Sequence, residues 1–286
     1  MTAFQKTVWE YYGAHGRDLP WRHPEPGGNF EAYKIIVSEI MLQQTQVSRV
    51  VPKYHQFLER FPNVGTLARA TLGDVLKVWS GLGYNRRAKF LHMAAKSLAT
   101  MPEPWPAEEL IKLPGIGKNT AGAVTVYAYN QPAVFVETNI RTVFIHHFFK
   151  DYPQVSDSQI LEYVLKTLPL QEEQPGQRIH SALGAMKNPP GVSGYREWYW
   201  ALMDYGAYLK ATVGTYSQVA KAFTKQSSFV GSKRQLRGQV IKLLTEQAID
   251  TTRLVELLPD TRLQQVLAEL EAEGFVRRKN QQYSLT

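Results

Sequence analysis

Over the first 210 residues, apolar positions recur every three or four residues, the spacing that lines one face of a helix. That periodicity predicts helices at about 2–15, 31–44, 46–61, 72–78, 84–99, 107–112, 118–129, 139–149, 156–168, 173–186 and 195–211. The two-residue alternation of strands is nearly absent there. Many short helices separated by Gly and Pro turns make an all-α globular region, expected in two lobes. From 211 to 232 the pattern fades, and ATVGTYSQVAKAFTKQSSFVGS reads as a connector rich in Ser, Thr, Gly and Lys. Helical spacing returns at about 234–247, 251–258 and 261–273. FVRRKNQQYSL then gives two short strand-like pieces around a polar turn. Three helices and a basic hairpin are the elements of a winged helix, whose third helix can enter a DNA major groove. The expected organisation is therefore mainly α, with a domain over 1–210, a connector over 211–232 and a winged-helix-like domain over 233–286.

Charge adds a partner class. Thirty-three Lys and Arg against 25 Asp and Glu give a formal charge of +8, which favours a polyanion such as nucleic acid. Residues 233–286 carry nine basic and seven acidic residues, net +2, which leaves +6 for the rest. That modest charge leaves open whether the small domain meets DNA or protein. The chain has no Cys, which excludes disulfides, thiolate zinc sites and Cys-ligated iron–sulfur clusters. No apolar run approaches the ~20 residues of a membrane span, and MTAFQKTVWEYY lacks a signal-peptide pattern. A cytoplasmic, nucleoid-associated protein without membrane or metal partners is expected.

The densest chemical signal is LPGIGKNTAG at 113–122. Gly115 and Gly117 allow a tight turn and a close approach by a partner, because neither carries a Cβ. A helix opening at Lys118 would aim its free N–H groups at an anion, and Lys118 favours a phosphate. Glu39 sits in the apolar run VSEIML, where a carboxylate is costly unless partnered or functional. Glu137 lies between AVFV and NIRTVFIHHFF, near a helix start, where it also complements the helix dipole.

Six motifs in order carry a resemblance: GRDLPWR (16–22), VSEIMLQQTQV (37–47), WSGLGYNRRA (79–88), LPGIGKNTAGA (113–123), VETNIRTV (136–143) and ALMDYGA (201–207). Over about residues 4 to 210 the chain resembles the helix-hairpin-helix (HhH-GPD) DNA glycosylases and, among them, the MutY-type adenine glycosylases. The resemblance implies cleavage of an N-glycosidic bond, which needs an acid, a carboxylate facing an oxocarbenium-like sugar, and a water. It makes Glu39 the acid that protonates the departing adenine at N7 and then helps to activate water. Where the family has Asp-Gly-Asn, this chain has Glu137, Thr138 and Asn139. The carboxylate is kept on an arm one methylene longer, a displacement of ~1 Å that can cost ~10²-fold in rate. Asn119 stands where bifunctional relatives carry a nucleophilic lysine, so a monofunctional enzyme without β-lyase activity follows.

A flipped-base pocket is implied as well. Arg17, Trp21, Arg22 and Asp204 match positions lining the adenine pocket, with core packing as the plainer role for Trp21 and a surface charge for Asp204. Gln44, Thr45, Leu82 and Tyr84 match residues that wedge into the gap and read the opposite base, or else pack helix ends. Two family features are missing from the sequence. MutY-type enzymes usually hold an iron–sulfur cluster on four cysteines after the ALMDYGA helix, and here that segment is the Cys-free connector. Tyr216, Phe223 and Phe229 are candidates to pack in its place. The family's Nudix-like reader of 8-oxoguanine is replaced by the winged helix. Removal of adenine from A:8-oxoguanine or A:G in double-stranded DNA, by a monomer without a cofactor, is the expectation. A G:T or G:U glycosylase and a catalytically weak lesion-binding protein are the alternatives. A transcription factor would leave the first two hundred residues unexplained.

Overall fold

The computed structural model describes residues 1–169, 194–221 and 228–286. The expected helix at 173–186 and Phe223 lie outside the described residues. The chain forms two compact units, each assembled from separate stretches. The first holds Met1–Ile35, Pro106–Ile111 and Ile116–Lys225; the second holds Ile36–Trp105, Lys112–Gly115 and Gln226–Thr286. Both therefore cut across the sequence segments 1–210, 211–232 and 233–286.

In the first unit, α1 (Ala3–His15) leads to a 3₁₀ turn at Pro20–Arg22 and to the start of α2 (Ala32–Leu42). A reciprocal cap starts α1: the Thr2 hydroxyl accepts from Gln5 N, and the Gln5 side chain accepts from Thr2 N. The unit's centre is α11 (Tyr195–Thr212), whose Trp198, Tyr199, Ala201 and Leu202 are buried. A helix buried on nearly all sides becomes the one that others pack around. The Tyr199 ring stacks on Phe135 at 4.3 Å, and its hydroxyl donates to the Ala133 carbonyl at 2.8 Å.

Gly206 lets α11 approach α9 (Thr138–Phe144). A Cβ there would overlap the Asn139 carbonyl oxygen, with Asn139 C at 2.6 Å and Asn139 Cβ at 2.9 Å. Gly206→Ala is expected to destabilise the fold by about 1–3 kcal/mol through overpacking. Thermal melting checks this; a variant that melts with the parent would show that the helices part freely.

Beyond α9 the helix widens to a π turn at Ile145–Phe149, and α10 (Asp157–Thr167) begins under a Ser156–Gln159 capping box. Part of the expected connector is built onto this region. Val155 and Ala220 form a parallel bridge, Val155 N donates to the Val219 carbonyl at 2.8 Å, and Tyr216 meets His146 Nδ1 at 2.7 Å.

The second unit takes the rest of α2 with α3 (Val47–Arg60), α4 (Val64–Arg69), α5 (Leu72–Trp79) and α6 (Arg86–Leu98). The sequence expectation missed α4 because PNVG looks like a turn. Asn63 is instead an N-cap whose side chain accepts from Thr66 N at 2.9 Å. The helices α7 (Ala107–Leu110) and α8 (Lys118–Tyr129) belong to the first unit, and Lys112–Gly115 in the turn between them to the second.

The C-terminal stretch runs α12 (Lys233–Glu246), β1 (Ile249–Asp250), α13 (Thr251–Leu257), α14 (Leu263–Ala272), β2 (Val276–Lys279) and β3 (Gln282–Leu285). Its sheet is antiparallel in the order β1-β3-β2, and the two-residue strand β1 is an addition to the sequence expectation. Asn280 and Gln281 both take positive φ, the requirement of a tight two-residue hairpin turn. This order is that of a winged helix, but the module docks in cis on α5 and α6. Gly73 N donates to the Thr286 carbonyl at 3.1 Å, and Arg86 binds Glu273 through two hydrogen bonds of 2.8 and 2.9 Å. The sequence left open whether this module meets DNA or protein. On α14 the exposed residues are Gln264, Gln265, Ala268, Glu271 and Ala272, with no basic side chain among them. Its Glu269 is held by Lys233 at 2.6 Å and Arg237 at 3.3 Å.

Candidate active site

In the first unit two of the expected pocket residues, Arg17 and Arg22, converge on the carboxylate of a third, Asp204. Arg17 N and Nε donate to Asp204 at 2.8 and 2.6 Å, and both Arg22 Nη groups donate to it at 2.8 Å. Arg22 also reaches the Arg17 carbonyl at 3.2 Å and lies over the Trp200 ring at 5.4 Å. The Asp204 side chain is 1 % exposed, Arg22 7 % and Arg17 31 %. Burial pushes the Asp204 carboxyl up, but hydrogen bonds from Arg22 and Arg17 and their charges outweigh it, so its pKa is lowered. Asp204 is thus a buried framework anion and not a surface charge. Trp21 and Arg22 are buried with it. Arg22 has both Nη groups on Asp204, which leaves Arg17 as the part-exposed guanidinium of the set.

Two side chains tie this framework to Glu137, the N-terminal flanking residue of α9. Asn139 Nδ2 donates to the Met203 carbonyl, next to Asp204, at 3.3 Å. Asn119 Nδ2 donates to the Val136 carbonyl, next to Glu137, at 2.7 Å. Glu137 itself is half-buried, and burial raises its pKa above the ordinary glutamate value of 4.5, with the Arg141 charge pulling the other way. Arg141 is engaged elsewhere, in a bidentate pair with Asp157 at 2.7 Å. Lys118 is exposed in the first turn of α8, whose N-terminus has no side-chain cap. Gly117 flanks that helix with φ −89°, which any residue adopts, and a Cβ there would meet open space. Neither conformation nor packing therefore requires glycine there.

In the second unit Glu39 is half-buried on α2, among the buried Val37, Ser38, Ile40 and Met41. Gly115 does need to be glycine: its φ is +78°, and a Cβ would sit 2.8 Å from Phe90 Cβ. Three of the four expected wedge residues, Thr45, Leu82 and Tyr84, contact a residue that the sequence did not single out, Arg87. Its Nη1 donates to the carbonyls of Ile40, Met41 and Gln43 at 2.9, 2.9 and 2.5 Å. Nη2 reaches Thr45 Oγ1 at 3.0 Å and the carbonyls of Leu82 and Gly83 at 3.4 and 3.3 Å. Burial lowers its pKa to about 10. The available signal was an arginine on the apolar stripe of α6, in register with Leu91 and Leu98. Gln44 and Tyr84 both take positive φ, 57° and 48°, rare for residues with a Cβ. Leu82 is 2 % exposed and packs inside, the plainer of the two roles the sequence left open for it.

The family's iron–sulfur cluster does not fit this chain, which offers no cysteine thiolate. The region following α11 is closed instead by the Val155–Ala220 bridge and the Tyr216–His146 hydrogen bond. Tyr216 thus packs as expected, whereas Phe229 is 54 % exposed and does not. Among the described residues no helix is long and apolar enough to cross a membrane.

Residues 37–166 match the HhH-GPD superfamily base excision DNA repair protein family. The chain is similar to the adenine DNA glycosylase of Mycolicibacterium smegmatis, 31 % identical over 281 residues, 93 % of this chain and 90 % of that one. The adenine DNA glycosylase of Mycobacterium tuberculosis is 33 % identical over 279 residues, 94 % and 88 % of the two chains. That of Buchnera aphidicola (subspecies Baizongia pistaciae) is 42 % identical over 149 residues, 51 % of this chain, which spans 41 % of that relative's length. In fold the chain is similar to a thermostable thymine-DNA glycosylase, with TM-score 0.58, 22 % identity, and coverage of 75 % of this chain and 89 % of that one. The chain belongs to the HhH-GPD superfamily of base excision DNA repair proteins and, within it, to the adenine DNA glycosylase family.

Proposed function

We propose that the protein is a monofunctional, monomeric DNA glycosylase that hydrolyses the N-glycosidic bond of adenine mispaired with 8-oxoguanine or guanine in duplex DNA. What carries this is likeness to adenine DNA glycosylases over nine-tenths of the chain, with carboxylates at both expected positions. Glu39, as the acid, gives its proton to adenine N7 while the C1′–N9 bond breaks and its electron pair leaves with the base. The cationic sugar faces the Glu137 carboxylate, and water then adds to C1′, returning a proton to Glu39. Asn119 holds the backbone before Glu137 and, lacking an amine, forms no Schiff base with the sugar. Arg17, steadied by Asp204 and Arg22, is the pocket's donor to the purine edge. Lys118 and the Gly115–Gly117 turn bind the backbone phosphate, and Gln44, Thr45 and Tyr84 face the gap and the opposite base. No metal or cluster takes part in any of these steps. The cytoplasm is the expected site of action.

A single-turnover assay on A:8-oxoguanine, A:G, T:G and U:G duplexes tests this. The expected result is free adenine from the first two, with strand breaks only after hot alkali. Breaks without alkali would overturn the monofunctional assignment. Release from T:G or U:G alone would overturn adenine as the substrate.

A further inference from the structure

Tyr84 stands in a ladder of alternating rings and guanidinium groups that begins in the C-terminal module. Arg234, in the first turn of α12, lies 5.4 Å from the Phe229 ring and 5.2 Å from the Tyr84 ring. Arg87 lies 5.3 Å from the Tyr84 ring and 5.4 Å from the Trp79 ring. Arg234 Nη1 also donates to the Tyr84 hydroxyl at 2.9 Å. The Tyr84 ring is thereby held between two cations while its backbone takes a positive φ of 48°. A bulky residue in that region persists only where its surroundings fix it. Arg87 fixes the turn from below through the carbonyls of Leu82 and Gly83, and Arg234 fixes the side chain from the appended module.

We infer that Arg234 is a positioning residue: the module at 233–286 holds Tyr84 ready to enter the base stack, and does not read DNA with its own third helix. This rests on the reading of Tyr84 as the wedge. Three features support it. The exposed face of α14 carries no basic residue. The module is anchored independently of Arg234, through Arg86–Glu273 and Gly73–Thr286. Among the described residues it places the Arg234 guanidinium on Tyr84, an expected DNA-facing residue. A planar guanidinium that both stacks and donates is not replaced by a lysine ammonium.

The test uses the full chain and a duplex with 2-aminopurine beside an A:8-oxoguanine pair, whose emission rises when the stack opens. Emission amplitude, single-turnover rate and melting temperature are read for Arg234→Ala, Arg234→Lys, Tyr84→Phe, Tyr84→Ala and the Arg234→Ala/Tyr84→Phe double variant. Loss of one hydrogen bond and one cation–π contact predicts a rate about tenfold lower for Arg234→Ala, with a smaller emission rise. Arg234→Lys should recover little of either, and the double variant should be no worse than Arg234→Ala alone. Tyr84→Phe leaves the module untouched and should shift both readouts the same way, so the inference stays testable if Arg234→Ala folds poorly. If Tyr84→Ala loses the signal while Arg234→Ala keeps it, the positioning role is overturned and the wedge stands. If Tyr84→Ala itself behaves as the parent, the wedge reading fails first. A faster Arg234→Ala would mark the contact as a latch and overturn the inference.

Discussion

Glu39→Gln is expected to slow adenine release by roughly 10²–10⁴-fold while leaving duplex binding near that of the parent. Gln is isosteric and polar, so the half-buried position on α2 tolerates it, but it has no carboxylic proton to give to N7. Glu137→Gln should cost about 10²–10³-fold, because only the charge facing the developing sugar cation is removed. Glu137 adds a pH signature. In the proposed role it acts as the carboxylate, and burial raises its pKa above 4.5, so activity should fall as pH drops through that raised value. The acid limb of the rate profile should therefore lie above 4.5 in the parent and lose the Glu137 contribution in Glu137→Gln. Single-turnover rates from pH 4 to 9 decide it. A Glu39→Gln variant with parental rate would remove Glu39 from the acid role, and an acid limb unchanged in Glu137→Gln would remove Glu137 from the titration.

What could be seen in the sequence was whatever is encoded locally. The helices at 118–129 and 3–15 follow from apolar spacing together with local start signals, a glycine flank in one case and a Thr-Gln cap in the other. Asn63 shows the limit of local signals, since the same residue serves a turn or a cap and only the Thr66 partner decides. The candidate site residues stand out in the sequence as identities within motifs, but their burial and partners do not. Leu82 and Trp21 are buried, and Arg22 is held by Asp204 from 182 residues away. The docking of the C-terminal module rests on Arg86–Glu273, a pair 187 residues apart that no periodicity reveals. Arg87 escaped notice for a related reason: its worth lies in six backbone and side-chain acceptors brought together by folding.

That long-range organisation makes Asp204 a sensitive structural residue of the first unit. Asp204→Asn keeps shape and removes the charge, leaving two guanidinium groups face to face around an amide. Breaking a buried ion pair from one side costs about 3–5 kcal/mol, because the remaining charge is stranded. For a protein of this size that is a drop of roughly 10 °C in melting temperature. The loss should exceed that of Arg17→Ala, since the Arg17 side chain is 31 % exposed and water replaces part of its contact. Arg22 is 7 % exposed and has no such compensation. Adding Arg22→Met to Asp204→Asn should therefore recover stability, because it removes the stranded cation. Adenine release should not recover, because Arg17 has then lost both the carboxylate that takes its Nε and the neighbour that takes its carbonyl. Melting curves with single-turnover rates separate the two effects. If Asp204→Asn melts within 2 °C of the parent, the triad does not carry the framework role assigned to it; if the double variant regains activity along with stability, Arg17 is positioned by something other than Asp204 and Arg22.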